Sequence, residues 1–152
     1  VQRLRDAGPD DEAFVVGLVP RFVEHGVTGG HVETEVIAGT ASVLAEALRA
    51  PREGDVFWIA TDDAGAPVGF VYAVTVPDFF TGEPCLHVSE IAVARSGGGT
   101  GAGLMAALER HARERGCRFL TLNVVEENQA GQRFYERLGY DLGHRHYVKR
   151  LT

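Results

Sequence analysis

Five glycines fall within seven residues of the run Ser96-Gly97-Gly98-Gly99-Thr100-Gly101-Ala102-Gly103-Leu104. Residues without a Cβ let a backbone come close to a ligand, and the N–H groups at a helix start form an anion site. A pyrophosphate is the guest that such a turn suits, because ordering so many glycines without a ligand is entropically costly. Titratable side chains stand on both sides of the run, His87 and Glu90 before it and Tyr135 after it. His144 and His146 would share a face on a strand and could begin a metal site, but no third ligand is evident, so no metal is expected. Cys85 and Cys117 lack metal-ligand spacing and read as small core residues.

Three pyrophosphate motifs compete for the glycine run. A P-loop ends in Gly-Lys-Ser/Thr, whereas Gly103 is followed by Leu104 and Met105, which excludes it. A dinucleotide fingerprint G-x-G-x-x-A fits Gly97, Gly99 and Ala102, and Glu126 lies near the end of the following strand. That fold, however, opens on its glycine turn and adds several βα units after it, while about 50 residues follow here. The third motif joins the run to Asn128-Gln129-Ala130-Gly131-Gln132-Arg133-Phe134-Tyr135-Glu136-Arg137-Leu138-Gly139-Tyr140.

The elements that must position these residues can be read from periodicity and turn chemistry. A short strand, 2–5, precedes a helix that Asp10 can cap and that runs to about His25, interrupted at Pro20. A loop at 26–30 leads to a second helix carrying Val36, Ile37, Val43, Leu44 and Leu48, which stops at Ala50-Pro51 and could break at Gly39-Thr40. Segments 56–61 and 67–76 form a hairpin about Asp62-Asp63-Ala64-Gly65. After a loop, 85–94 is a strand, 101–115 a helix and 118–124 a strand, which makes one βαβ unit. A short helix at 128–137 stops at Gly139, and 140–151 supplies a last strand or hairpin. Core positions are Phe57, Ile59, Val71, Val74, Ile91, Val93, Leu104, Leu108, Leu120, Leu122 and Leu138.

With 152 residues, 45% hydrophobic and 24% charged, the chain has the composition of a single folded domain, 1–152. The net charge of -6 argues against nucleic acid as a partner and would suit a cationic amine substrate. The apolar run from Val68 to Val76 is about half of what a membrane span needs, so no membrane association is expected. The cytoplasm is the expected compartment, since 1–5 carries no apolar signal region, although the missing start methionine leaves room for upstream sequence.

From Leu86 to Leu151, the strand, glycine turn, helix, strand and Asn-to-Tyr helix ending in Leu-Gly-aromatic resemble the GNAT superfamily of N-acetyltransferases. The resemblance implies an α/β fold with a mixed, mainly antiparallel sheet of six or seven strands, helices on both faces and one parallel pair at a coenzyme cleft. It implies an enzyme that moves an acetyl group from acetyl-CoA, as cosubstrate, to the amine of a small molecule or protein by direct attack in a ternary complex. Homodimers are common among similar proteins. The implied coenzyme-binding residues are Ile91, Ala92 and Val93 on the strand, Arg95, Ser96, Gly97, Gly98, Gly99, Thr100, Gly101, Ala102 and Gly103 in the turn, and Asn128 and Tyr135 beyond. The family pattern Gln/Arg-x-x-Gly-x-Gly/Ala lands with Ser96 at its basic or amide position. Either Arg95, one residue early, or backbone donors alone must carry that phosphate contact. Gly131 likewise stands where the family has Ala.

The same resemblance makes Tyr135 the acid at the departing sulfur and Glu90 the base, acting directly or through water. His87 could share the base role, as an imidazole titrates near neutral pH, but an ideal strand sends residues three apart to opposite faces unless a bulge intervenes. The acceptor-lining candidates are 26–43 and the loop Asp78-Phe79-Phe80-Thr81. A coenzyme A-binding module without catalysis is the alternative that the basic residue missing at position 96 leaves open.

Overall fold

The computed structural model describes residues 2–152. Strand β1 (Arg3–Asp6) leads through a 3-10 turn (Pro9–Asp11) into α1 (Glu12–Leu18). The α-helix stops two residues before Pro20, whose ring cannot follow a helical interior, and the chain continues as a 3-10 segment, Val19–Val23. The cap is Asp11 rather than Asp10. Its carboxylate accepts the Gly8 N–H at 2.9 Å and both terminal nitrogens of Arg5, at 2.7 and 2.8 Å. The Arg5 guanidinium holds this carboxyl below the usual carboxylate range. A carboxyl with a depressed folded pKa adds stability above its ordinary pKa, near 3.8, that is lost as the pH falls through the folded value. Asp11→Ala should therefore cost about 1–3 kcal/mol at pH 7, a difference that shrinks in urea titrations at pH 3.

Helix α2 (Glu33–Arg49) runs through Gly39 without the expected break. One helical glycine costs about 1 kcal/mol, which the burial of Leu44 and Leu48 on the same helix outweighs. Strands β2 (Val56–Thr61) and β3 (Pro67–Pro77) form the hairpin, followed by β4 (Pro84–Val93), α3 (Thr100–Glu114), β5 (Leu120–Leu122) and α4 (Gln129–Arg137).

The sheet has five strands in the order β1-β2-β3-β4-β5, antiparallel except for the β4–β5 pair. This corrects the expectation of six or seven. Among the described residues, 140–152 form no strand. Val148 instead lies against the backbone of Gly29 and Gly30. Both alternating sets of that segment, His144/His146/Val148/Arg150 and Arg145/Tyr147/Lys149/Leu151, mix charged with apolar residues, so neither gives a face that drives burial. The strand predicted over 118–124 is only three residues long.

Helices cover both faces of the sheet. On one, Leu104, Met105, Leu108 and Ala112 of α3 pack with Val71, Ala73, Leu86 and Val88, and Phe134, Tyr135 and Leu138 of α4 lean on the same cluster. On the other, Val15, Val19, Leu44 and Leu48 pack with Ile59, Phe70 and Tyr72. Of the expected core, Ile59, Val71, Leu104 and Leu108 are fully buried. Phe57, Val74, Ile91, Val93, Leu120, Leu122 and Leu138 are half-buried. Ile91, Val93 and Leu122 border the place where β5 ends, so nothing closes over them. Among the described residues, no helix is long and apolar enough to cross a membrane.

Candidate active site

The parallel pairing joins Leu86 to Leu120, His87 to Thr121 and Val88 to Leu122, and there β5 stops while β4 continues to Val93. One edge of β4 is thereby left open over its last five residues. In an antiparallel pair, alternate residues turn both backbone polar groups toward the partner strand. Ala94 N–H donates to Val68 O on the β3 side at 2.8 Å. Ile91 and Val93 consequently turn their backbone groups to the open edge, where an extended ligand can hydrogen-bond as an added strand.

The register of β3 on β4 shifts once, with Tyr72 opposite Glu90 and Ala73 opposite Val88, so Ser89 is an extra residue. This bulge reverses the phase of the strand. Leu86 and Val88 face α3 before it, and Ile91 and Val93 do so after it. Because of the reversal, His87 and Glu90 lie on the same face, the one that α1 and α2 cover, and not on opposite faces as an ideal strand would have placed them. Burial alone raises the Glu90 carboxyl from its ordinary 4.5 to about 7. His87 Nδ1 is 2.8 Å from Thr121 Oγ1, and burial lowers its pKa.

Beyond β4 the chain turns into α3 through 94–99. Gly97 and Gly99 adopt φ of 84° and 77°, a left-handed backbone that suits glycine, and Gly99 is the residue that precedes the helix. No side chain caps this helix start, and a Cβ added at Gly97, Gly98 or Gly99 would meet open space. The first N–H groups of α3 are thus bare of side chains and lack intrahelical acceptors, which makes the turn fit an anionic phosphate. The Thr100 hydroxyl accepts a hydrogen bond from Gln2 Nε2 and keeps its own O–H as a donor. A Cβ at Gly101 would lie 3.3 Å from the Phe134 ring, a tight contact to which the ring would have to yield by a few tenths of an ångström.

Tyr135 lies on the other face of the sheet from Glu90, between the rings of Phe134 at 5.0 Å and Tyr140 at 5.9 Å. Burial pushes its phenol up to about 12, so it is protonated near neutral pH. Asn128 is the cap of α4, its Oδ1 accepting from Gly131 N–H at 2.9 Å. A Cβ at position 131 would sit 2.5 Å from Asn128 Nδ2, so glycine there and this cap conformation go together.

An open strand edge with a half-buried carboxyl on one face of the sheet and a half-buried phenol on the other, leading from a turn that fits an anionic phosphate, suits acyl transfer from a phosphate-bearing carrier to a nucleophile that must lose a proton. The model of the acetyltransferase (GNAT) family matches residues 29–140. The chain belongs to this family. The GNAT fold is also that of solved structures of low sequence identity. AAC(6')-Iy with the bisubstrate analogue CoA-S-monomethyl-acetylneamine is 21% identical over 100% of this chain and 99% of that one, with a TM-score of 0.69. Ribosomal-protein-alanine N-acetyltransferase from Brucella melitensis biovar Abortus 2308 is 21% identical over 99% and 100%, with a TM-score of 0.72. Glucosamine-6-phosphate N-acetyltransferase from Arabidopsis thaliana is 17% identical over 100% and 99%, with a TM-score of 0.66. No curated protein sequence matches.

Two features of this GNAT chain bear on the expected site. Arg95 is exposed and makes no hydrogen bond or ion pair among the described residues. The cation that reaches the turn is Arg21, whose Nη1 donates to Val93 O and whose Nη2 lies 3.3 Å from Ser96 Oγ. Nothing in its local sequence marks it, because it sits 75 residues from Ser96 in a 3-10 segment. In the loop 78–81, Asp78 Oδ2 accepts from Thr81 Oγ1 and from the N–H groups of Phe80 and Thr81, which holds the carboxylate against its own turn. Phe79 and Phe80 stand almost fully exposed. The six strand positions from Pro84 to Glu90 put this loop about 20 Å from the carboxyl.

Proposed function

We propose that this GNAT domain transfers an acetyl group from acetyl-coenzyme A to a primary amine by direct attack, with both substrates bound together. The observation that carries the reading is the open edge of β4, running from the glycine turn and flanked by Glu90 on one face of the sheet and Tyr135 on the other. Acetyl-coenzyme A supplies the acetyl group as a thioester. In this reading the backbone of Ile91 and Val93, with Ala92 between them, holds the pantetheine arm, and N–H groups from Gly97 to Ala102 receive the phosphates, that of Gly103 being bonded to Gly99 O. Glu90, directly or through water, takes a proton from the amine on the α2 face. Tyr135 donates a hydrogen bond to the sulfur on the α4 face. An ammonium acceptor gives up two protons as the N–C bond forms and the C–S bond breaks, one reaching solvent and one ending on sulfur. The bisubstrate analogue bound to AAC(6')-Iy supports a site of this fold holding coenzyme and acceptor together. The acidic balance of the chain, with a net charge of -6, favours a cationic amine.

Thermal unfolding with acetyl-CoA and with NAD tests the ligand. At a hundredfold excess over Kd, acetyl-CoA should add about 2.7 kcal/mol, roughly 5–10 °C in Tm for a domain of this size, and NAD should add nothing. A shift with NAD alone overturns the reading. Acetyl-CoA binding without thiol release over a panel of aminoglycosides, amino sugars, polyamines and N-terminal peptides would favour a binding module without catalysis.

A further inference from the structure

The 3-10 segment Val19–Val23 is pinned by its buried valines at both ends, and from it the Arg21 side chain crosses to the junction of β4 and the glycine turn. Its guanidinium donates through Nη1 to Val93 O and through Nη2 to Ser96 Oγ, and Nε lies 3.7 Å from Glu24 Oε1. A guanidinium carries five N–H donors in a planar fork, two on each terminal nitrogen. One N–H on each terminal nitrogen therefore has no acceptor among the described residues, and two such donors suit phosphate oxygens. We propose that Arg21 is the cation that receives the pyrophosphate of coenzyme A, supplied from the N-terminal segment in place of a basic side chain on the turn. This rests on the reading that the turn binds acetyl-CoA.

The alternatives on the page are weaker. The turn itself carries no charge from Ser96 to Gly103. Arg95 is exposed and unpartnered, so recruiting it would require ordering a free side chain, whereas Arg21 is already two-thirds buried and held by two hydrogen bonds. A carbonyl oxygen has two acceptor positions, so the bond from Arg21 to Val93 O leaves one for the pantetheine arm. The contact fixes the guanidinium where the arm must end and the phosphates begin.

Calorimetric Kd values for coenzyme A, 3′-dephospho-coenzyme A and pantetheine, which lacks the phosphates, test the assignment. Arg21→Gln should weaken both coenzymes about 10- to 100-fold, the loss of a charge-assisted hydrogen-bonded pair, and leave pantetheine within about twofold. Adding Ser96→Arg to that variant should restore at least part of the loss. An equal loss for pantetheine, a loss confined to the form bearing the 3′-phosphate, or a larger loss from Arg95→Gln each overturns it. Should Arg21→Gln not fold by circular dichroism, Arg21→Lys carries the test: it keeps the charge without the fork and should still weaken coenzyme A selectively, and unchanged affinity overturns the assignment. If the wild-type protein binds none of the three, the coenzyme reading fails, and not only the role of Arg21.

Discussion

Tyr135→Phe should slow single-turnover acetyl transfer by about 10- to 10²-fold and leave acetyl-CoA affinity within about twofold. The phenylalanine ring keeps the packing against Phe134 and Tyr140, so only the hydroxyl is lost. The size follows from acidity. Burial holds the phenol at about 12, and a thiol ionises near 8.5, so complete proton transfer to the departing thiolate is uphill by about 5 kcal/mol. A hydrogen bond donated to that thiolate carries no such penalty and is worth about 1.5–3 kcal/mol, or about 10- to 10²-fold in rate, at the bottom of the general-acid range. Single-turnover and steady-state rates must be compared, since slow product release would hide a chemical defect. Unchanged single-turnover rates at saturating amine would remove Tyr135 from the mechanism.

Glu90→Gln should lower kcat/KM about 10²- to 10⁴-fold at pH 8 and abolish the acid limb of the pH profile near pH 7. The buried carboxyl is a base only when ionised, so wild-type activity should fall about tenfold per pH unit below that limb. Stability gives an independent reading of the same group. A carboxyl whose folded pKa is raised contributes stability that is present below its ordinary value and is lost as the pH rises through the folded one. From pH 5 to pH 8 the wild-type protein should lose on the order of 1–3 kcal/mol that Glu90→Gln does not lose, the bracket allowing for partial solvent screening. Urea titrations of both proteins at the two pH values measure the difference. If the limb near pH 7 survives in Glu90→Gln, the base is His87 on the same face, or water.

The glycine run, the flanking strand and helix, and the Asn128-to-Tyr135 spacing are local chemistry, and they are legible without coordinates. A turn that suits glycine at Gly99, an interruption of the first helix at Pro20 and a helix start at Asn128 depend on residues a few positions apart. The strands from 56 to 93 alternate or run apolar in ways that fix their pairing as a hairpin and its neighbour. The sequence also placed the parallel β4–β5 pair and the helices on both faces, through the single βαβ unit and its family resemblance.

Other features depend on the assembled chain. Whether 140–152 pairs as strands turns on what edge is available and what face it would bury, and a mixed-charge segment beside a three-residue strand has neither. The bulge at Ser89 has no signature of its own, since it arises from the fit of β3 to β4, yet it decides that Glu90 and His87 share a face. Burial raised the Glu90 carboxyl, and burial is a property of neighbours that α1, α2 and β3 bring from elsewhere in the chain. Arg21 reaches the turn for the same reason. A motif records spacing along the chain, whereas the field at a site sums charges by distance in space, so a cation 75 residues away can fill a place that the motif leaves to Ser96.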